Sequence, residues 1–302
     1  MISAEPIIYQ FRAMGGYGEI VLAGVSSRDA NAICKEAQDE VERIERKYSR
    51  YRTDSFLSAM NQQCGSGSLS CDEETLALMD SAETLYQASG GLFDLTSGVL
   101  RHAWDFEKGA LPDPGLLSDL LAQIDWRAVH RKDDEVSFSI PGMQIDFGGI
   151  GKEYAADRAA AVLQAAGIVS GYINLSGDFH VLGPKPNGQP WMIGIQNPRH
   201  KGQVFASMPI EKGALATSGD YERFFERDGK RYCHILNPVT GYPVTYWRSI
   251  SVFAPMTVMA GSFSTIAMLL EEGGLQFLQD SGLPFLAMNQ SCEVFQQQVA
   301  TP

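Results

Sequence analysis

The sequence predicts an α+β fold, with mixed, mostly antiparallel sheets and packed helices in one compact unit of one or two lobes. Three observations carry this. A clear helical period runs from residue 28 to 48, strand-length apolar runs crowd the chain after residue 167, and the two kinds of element follow each other in mixed order. Strict β-α alternation would have favoured a doubly wound parallel sheet; its absence favours α+β. No internal repeat, low-complexity tract or linker with a composition shift divides the 302 residues, so residues 1–302 are expected to form a single domain.

Taken in order, Ile7 to Ala23 alternates apolar and polar residues around Met14-Gly-Gly-Tyr-Gly18, which predicts two strands and a turn. In the 28–48 helix, Ile33, Ala37, Val41, Ile44 and Tyr48 fall on one face and charged residues on the other. A polar loop is expected at Tyr51 to Ser58 and a mobile Gly/Ser-rich stretch from Cys64 to Ser70. A second helix is expected from Glu73 to Ser89, with Leu76, Met79 and Leu85 inward and Gly90-Gly91 as its stop. Polar groups among aromatics fill 92–106, and prolines at 112 and 114 introduce a short helix near 115–123.

Val136 to Ile140 and Met143 to Phe147 are expected to pair as a hairpin across Pro141-Gly142. A helix over 155–166 then closes at Gly167. Strands are expected at Tyr172 to Leu175, Trp191 to Gln196, Ala206 to Ile210, Gly213 to Ser218, Arg231 to Leu236 and Ser249 to Ala254. The chain ends with a helix from Met259 to Leu270, a short one from Leu275 to Asp280, and a strand from Pro284 to Met288.

A net charge of −12 argues against nucleic acid or an anionic membrane as partner, though a local basic pocket remains compatible with it. Five scattered cysteines show no CxxC pair, which argues against zinc and for free thiols. The opening Met-Ile-Ser-Ala-Glu-Pro has neither a basic n-region nor an apolar h-region, and no 18-residue apolar run follows. As given, the chain reads as cytoplasmic, or as periplasmic if a signal once preceded it.

The chemistry centres on Met143-Gln-Ile-Asp-Phe-Gly-Gly-Ile-Gly-Lys-Glu-Tyr154, a strand, a glycine turn with a lysine at its exit, and a helix start. Gly148, Gly149 and Gly151 are expected to take positive φ and to let the backbone approach a ligand. Lys152 and the helix dipole suit a phosphate. Asp146-Phe-Gly148 lacks the rest of a kinase signature, and a Walker loop would need glycine at 146 and Ser or Thr at 153. Four other stretches carry polar residues at turns or helix starts: Asn174-Leu-Ser-Gly-Asp178, Leu215-Ala-Thr-Ser-Gly-Asp220, His234-Ile-Leu-Asn-Pro-Val-Thr-Gly241 and Ser262-Phe-Ser-Thr265. Alone, the first two read as turns, the histidine as a packed or surface residue of a strand, and the helix-start hydroxyls as caps or back-bonded groups.

In this order the stretches resemble the ApbE family, the FAD:protein FMN transferases formerly called thiamine-biosynthesis lipoproteins, over about residues 10–295. Met14-Gly15 is similar to the family's Met-Gly-Thr. Tyr51-Arg-Thr-Asp-Ser-Phe-Leu-Ser-Ala-Met-Asn61 and Ser89-Gly-Gly-Leu-Phe-Asp-Leu-Thr96, with Trp104 and Phe106, look like two further family segments. The glycine turn resembles Asp-Leu-Gly-Gly-Ile-Ala-Lys-Gly-Tyr-Ala-x-Asp. Asn174 to Asp178 resembles Asn-x-Gly-Gly-Asp, Thr217-Ser-Gly219 a Ser-Gly turn, and His234 to Gly241 His-Ile-x-[Asp/Asn]-Pro-x-Thr-Gly.

The resemblance implies a flavin-binding enzyme that uses a Thr or Ser hydroxyl of an acceptor redox protein to attack the FAD pyrophosphate, transferring FMN and releasing AMP. His234 is implied as the base, Lys152 as charge neutraliser, and Asp178 and Asp220 as orienting or basic partners. Met14, Tyr51, Trp104 and Phe106 are implied against the flavin or adenine rings. Gly148, Gly149, Gly151, Lys152, Glu153, Asn174, Gly177, Asp178, Ser218, Gly219, His234, Ile235 and Thr240 are implied around the rest of FAD. Magnesium is implied at the carbonyl of Gly151 and at Thr265.

The sequence also departs from the family. The metal-ligand Asp position of Ala-Asp-Ala-x-Ser-Thr is Gly261, with neutral Ser262 beside it, and Glu153 replaces the Gly after the lysine. Glu153 either compensates for the missing carboxylate or repels the pyrophosphate. Gly16, Phe56, Ser176 and Val239 replace a Thr, a Glu, a Gly and a basic residue. The alternatives are an FAD-binding carrier or scaffold without transferase activity, and an FAD pyrophosphatase giving FMN and AMP. If the missing ligand limits activity, a Gly261→Asp change is expected to raise both magnesium dependence and AMP release.

Overall fold

The structure, a computed structural model, describes residues 5–65 and 67–298. Residues 1–4 and 299–302, and Ser66 of the Gly/Ser-rich stretch, lie outside the described residues. In chain order the first elements are β1 (Ile7–Ala13), β2 (Gly16–Leu22), α1 (Ser27–Tyr48), α2 (Phe56–Gln62), β3 (Ser68–Ser70) and α3 (Glu73–Ala88). Next come α4 (Pro114–Leu121), β4 (Val129–Lys132), β5 (Glu135–Phe138), α5 (Gly151–Ala165), β6 (Gly171–Leu175) and β7 (Asp178–Gly183). They are followed by β8 (Trp191–Gln196), β9 (Val204–Ile210), β10 (Gly213–Gly219), β11 (Phe224–Arg227) and β12 (Lys230–Cys233). The last are β13 (Trp247–Ala254), α6 (Thr257–Leu269), α7 (Gly274–Ser281), β14 (Phe285–Asn289) and β15 (Val294–Gln297).

The centre is an eight-stranded sheet ordered β1-β2-β6-β7-β10-β13-β14-β15, every neighbouring pair antiparallel. Both faces are covered, so its inner strands lack clean alternation: β7 buries five of its six residues. On one face Ile20, Leu22, Ile173 and Leu175 meet α1, α5 and α6 in the main core. On the other, Val21, Val181 and Leu215 meet Trp191, Ile193 and Ile195 of the β8–β9 hairpin. The main core continues without a break into α2, α3 and the small sheet β3-β5-β4, through Leu57, Met79, Trp126 and Val136.

Several elements differ from expectation, each for a local reason. Residues 143–147 do not pair with β5. That strand turns back at Asp133-Asp134 onto β4, Asp133 taking φ of 56°. The 143–147 backbone is bound elsewhere: the Ile145 N–H donates to Asn61 Oδ1 (2.7 Å), Asn61 Nδ2 returns a bond to the Ile145 carbonyl (3.0 Å), and the Asp146 N–H donates to the Leu95 carbonyl (2.9 Å). The loop expected at 51–58 ends early because the Ser55 hydroxyl accepts from the Ser58 N–H and starts α2. Ser68–Ser70, expected to be mobile, pairs with β5. Strand β12 stops at Cys233, so His234 lies just beyond it rather than within a strand.

Helix α6 has a borrowed start. Met256, at its N-cap, offers no side-chain acceptor. Asp157 of α5 accepts instead from the Thr257 and Val258 N–H groups at 2.7 and 2.9 Å, and its Oδ1 also bonds His180 Nδ1 at 2.7 Å. The two helices that face the site are thereby tied together.

Candidate active site

The antiparallel register brings the β1–β2 tip, the β6–β7 tip and the C-terminal end of β10 to one end of the sheet. Both tips are two-residue turns in left-handed backbone. Met14 and Gly15 have φ of 55° and 71°, and Ser176 and Gly177 have 53° and 98°. Asn or Gly would suit such turns; methionine there carries strain, which is concentrated at functional sites. The tips touch: the Ser176 N–H donates to the Tyr17 carbonyl at 2.9 Å. Asn174 braces its own turn by accepting from the Gly177 N–H at 2.8 Å.

The glycine turn enters this end from the helical side. None of Gly148, Gly149 and Gly151 has positive φ, contrary to expectation. Space explains two of them. A Cβ at 149 would lie 3.0 Å from the buried Phe93 ring, and one at 148 would lie 3.1 Å from the Asp146 carboxylate. That carboxylate accepts from the Gly148 N–H (2.9 Å) and pairs with Arg50 (2.8 Å) and Arg101 (3.5 Å). The helix begins at Gly151, earlier than expected, and no side chain caps it.

Two adjoining hollows result. A cleft of about 1180 Å³ is lined by Met14, Tyr51, Gly148, Gly151, Lys152, Asn174, Gly177 and His234, among others. A smaller cavity of about 210 Å³ is lined by Phe93, Gly148, Gly149, Lys152, Glu153, Ser218, Gly219, His234, Ile235 and Thr265. They share the walls Arg101, Asp146, Gly148, Lys152, Thr217, Glu222 and His234. The cleft has room for a dinucleotide, exceeding the usual range for drug-sized ligands of about 300–1,000 Å³.

Lys152 Nζ lies 2.6 Å from Asp178 Oδ2, and the Asp178 side chain is only 2% exposed. Burial works against the lysine's charge, but the Asp178 and Glu153 carboxylates outweigh it and hold the ammonium firmly protonated. His234 behaves oppositely. Burial, then the positive charges of Arg101 and Arg223, lower it to about 4, so its imidazole is neutral near pH 7. Its Nδ1 is buried without a hydrogen-bond partner among the described residues.

Glu153 is 7% exposed, and its Oε2 also lacks a partner there. Burial, then the neighbouring Asp178 carboxylate, push its carboxyl above the ordinary range. The Thr265 hydroxyl reaches Ser218 Oγ at 3.0 Å, and the Ser262 hydroxyl is buried without a partner among the described residues. These groups are hard oxygen donors, and a buried carboxylate with the Thr265 hydroxyl on the same cavity wall fits magnesium. No group of three or more His, Cys, Asp or Glu among the described residues encloses a metal unaided. Magnesium typically relies on one or two carboxylates together with substrate phosphates.

Other expected site residues lie elsewhere. Trp104 is buried away from both hollows, donating to the Gly241 carbonyl at 2.8 Å and packed among Phe106, Phe225, Tyr232 and Tyr242. Thr240 sits in the Asn237 turn and its hydroxyl accepts from the Tyr242 N–H. Asp220 is held by Arg199 (2.6 and 2.7 Å), Arg231 and Gln290, and lines neither hollow. Sequence reasoning missed Arg12, Arg46, Arg50, Arg101 and Arg223, which line the cleft with Arg52 and make it locally basic in an acidic protein. Arg50 and Arg52 flank Tyr51, and Arg101 lies inside the aromatic-rich 92–106 stretch; that proximity was the available signal.

Comparison with known proteins places this geometry in context. A model described as "ApbE family" matches residues 14–287. The "FAD:protein FMN transferase" of Treponema pallidum is 34% identical over 261 residues, 80% of this chain and 72% of that protein. The protein of the same description from Vibrio cholerae is 30% identical over 277 residues, 89% of this chain and 83% of that one. Among solved structures, the ApbE protein of Thermotoga maritima superposes with a TM-score of 0.88 at 28% identity, covering 97% of both chains. The "Flavin Transferase ApbE from Vibrio cholerae" gives 0.87 at 26% identity over 98% of both.

Proposed function

The chain belongs to the ApbE family, and from that premise we propose how it works as an FAD:protein FMN transferase. It is an enzyme that moves FMN from FAD onto an acceptor protein and releases AMP. The observation that carries the assignment of roles is the convergence of Lys152 and His234, from motifs some eighty residues apart, on the shared wall of the two hollows.

FAD lies in the larger cleft, with Met14 and Tyr51 available to its rings and the arginines to its phosphates. A Thr or Ser hydroxyl of the acceptor attacks the FMN-side phosphorus. The new P–O bond forms as the P–O bond to AMP breaks, and AMP leaves with the bridging oxygen. The hydroxyl proton passes to the neutral imidazole of His234. Lys152, fixed by Asp178, offsets charge on the transferring phosphoryl group, which needs positioning and electrostatic stabilisation more than covalent help. Burial is the larger influence holding His234 down, and the anionic pyrophosphate would offset only the lesser one, the positive charges of Arg101 and Arg223. Glu153, Thr265 and the Gly151 carbonyl would hold magnesium, which supplies further neutralisation of phosphate charge.

The test is incubation of the purified protein with FAD, magnesium and an acceptor redox subunit. The acceptor is expected to gain the mass of FMN, matched by an equal amount of AMP. AMP with free FMN, and no modified acceptor, would instead mark a pyrophosphatase; bound FAD with no AMP would mark a carrier.

A further inference from the structure

We propose that Glu153 of α5, rather than any residue of α6, supplies the carboxylate that holds a hard divalent cation of the magnesium type in the smaller cavity. The inference rests on the transferase reading for its purpose, since the cation would act on the FAD phosphates.

Three observations converge. The first is that Glu153 is 7% exposed, lines the cavity, and its Oε2 receives no N–H or O–H from the described residues, its carboxyl standing instead against the carboxylate of Asp178. A buried carboxylate oxygen left so is rare in folded proteins and points to an absent ion or water. The second is that residues 153 and 261 compete for one volume. A Cβ built on Gly261 would lie 2.5 Å from Glu153 Cγ and 3.0 Å from its Cδ and Oε1. Glycine at 261 is therefore the counterpart of the glutamate: it admits the stem of Glu153 across the α5–α6 contact. The third is that the surrounding donors have the right chemistry. Thr265 and Ser218, whose hydroxyls bond each other at 3.0 Å, line the cavity with Glu153; Ser262 Oγ is buried and unpartnered among the described residues but does not line it. Asp178 stands beside Glu153 but already pairs with Lys152. An all-oxygen set selects a hard cation.

The geometry also revises the expectation for Gly261→Asp. A second carboxylate there has no room while Glu153 is present, so that single change is expected to disturb the site rather than complete it.

The experiment is a Mn²⁺ titration followed by electron paramagnetic resonance, on protein with and without FAD. Glu153→Gln keeps the shape and removes the charge, and is expected to weaken Mn²⁺ binding more than about 100-fold, beyond the about 10–100-fold that loss of a supporting contact usually costs. Thermal melts in EDTA confirm that the variant is folded. The swap E153G/G261D, which moves the single carboxylate from α5 to α6, is expected to recover Mn²⁺ binding and guards against misfolding of E153Q. Wild-type Mn²⁺ affinity in E153Q overturns the proposal, because it would mean that Glu153 serves as a neutral hydrogen-bonding partner that glutamine imitates. Wild-type protein that takes up no Mn²⁺ in either condition overturns it too. FAD binding in EDTA, read by flavin fluorescence, is a separate arm. Failure there removes the transferase reading and leaves the cation result standing.

Discussion

The shared volume of Gly261 and Glu153 predicts an energetic coupling that needs no metal and no substrate. Gly261 lies inside α6, where replacing glycine by alanine ordinarily stabilises by about 1 kcal/mol. Here the added Cβ would sit 2.5 Å from Glu153 Cγ, well inside the ordinary carbon contact of about 3.5–4.0 Å. The clashing atom is near the root of a buried side chain rather than at its tip, so relief requires the stem of Glu153 to shift and not its carboxylate alone. Overpacking of this kind costs about 1–3 kcal/mol. Gly261→Ala is therefore expected to lie between neutral and about 2 kcal/mol destabilising in the native background. With Glu153→Ala the obstacle is gone, and the same change should stabilise by about 1 kcal/mol. Urea unfolding of the four proteins in EDTA, treated as a double-mutant cycle, should give a coupling of about 1–3 kcal/mol. A Gly261→Ala that stabilises by about 1 kcal/mol in both backgrounds, with coupling below about 0.5 kcal/mol, would refute the packing argument.

Three further outcomes follow from the site. Lys152→Met should abolish FMN transfer and, by stranding buried Asp178, destabilise the fold by up to about 3 kcal/mol; adding Asp178→Asn should recover stability in urea melts but not transfer. His234 sits near 4 in the folded protein, below its unfolded value of about 6.5. Between these values the unfolded state binds the extra proton, so stability should fall as pH drops from about 6.5 towards 4 and level off below. His234→Gln should lose that portion of the pH dependence by about 2–3 kcal/mol, measured by urea melts across the range. Asp220→Asn should cost about 2–4 kcal/mol by leaving Arg199 and Arg231 partly unpaired, while FAD affinity by fluorescence stays within about 2-fold.

How much of this was legible in the sequence depends on whether the signal was local. Helix α1 could be placed almost to the residue, because one face of it is buried and the spacing of Ala37, Val41, Ile44 and Tyr48 repeats that face. The β1–β2 hairpin was equally readable from its glycines. Strand β7 was missed since it is covered on both sides and shows no alternation. The pairing of 136–140 with 143–147 failed for a different reason: a Pro-Gly turn looked sufficient, whereas the Asn61 amide, eighty-four positions before Ile145, had already taken that backbone. In the site, Lys152, Glu153 and His234 stood out by motif and do line the cavity. Asp220 and Trp104 carried the same kind of signal but are occupied by Arg199 and by the Gly241 carbonyl, partners distant in sequence. The arginines of the cleft were hidden because a surface arginine in a motif looks like any other until the fold gathers several of them.

The cap that Asp157 gives to α6 bears on the order in which the molecule assembles. A helix whose first amides are satisfied by a residue one hundred positions earlier has no start signal of its own. As the chain emerges during synthesis, α5 is complete long before α6, and it presents its acceptor to whatever register of the later segment fits. The position of α6 along its own axis is thus set by docking rather than by local sequence. A separately expressed segment from residue 255 onwards would lack that reference and fray at its leading end, and adding back the preceding part of the chain would restore it.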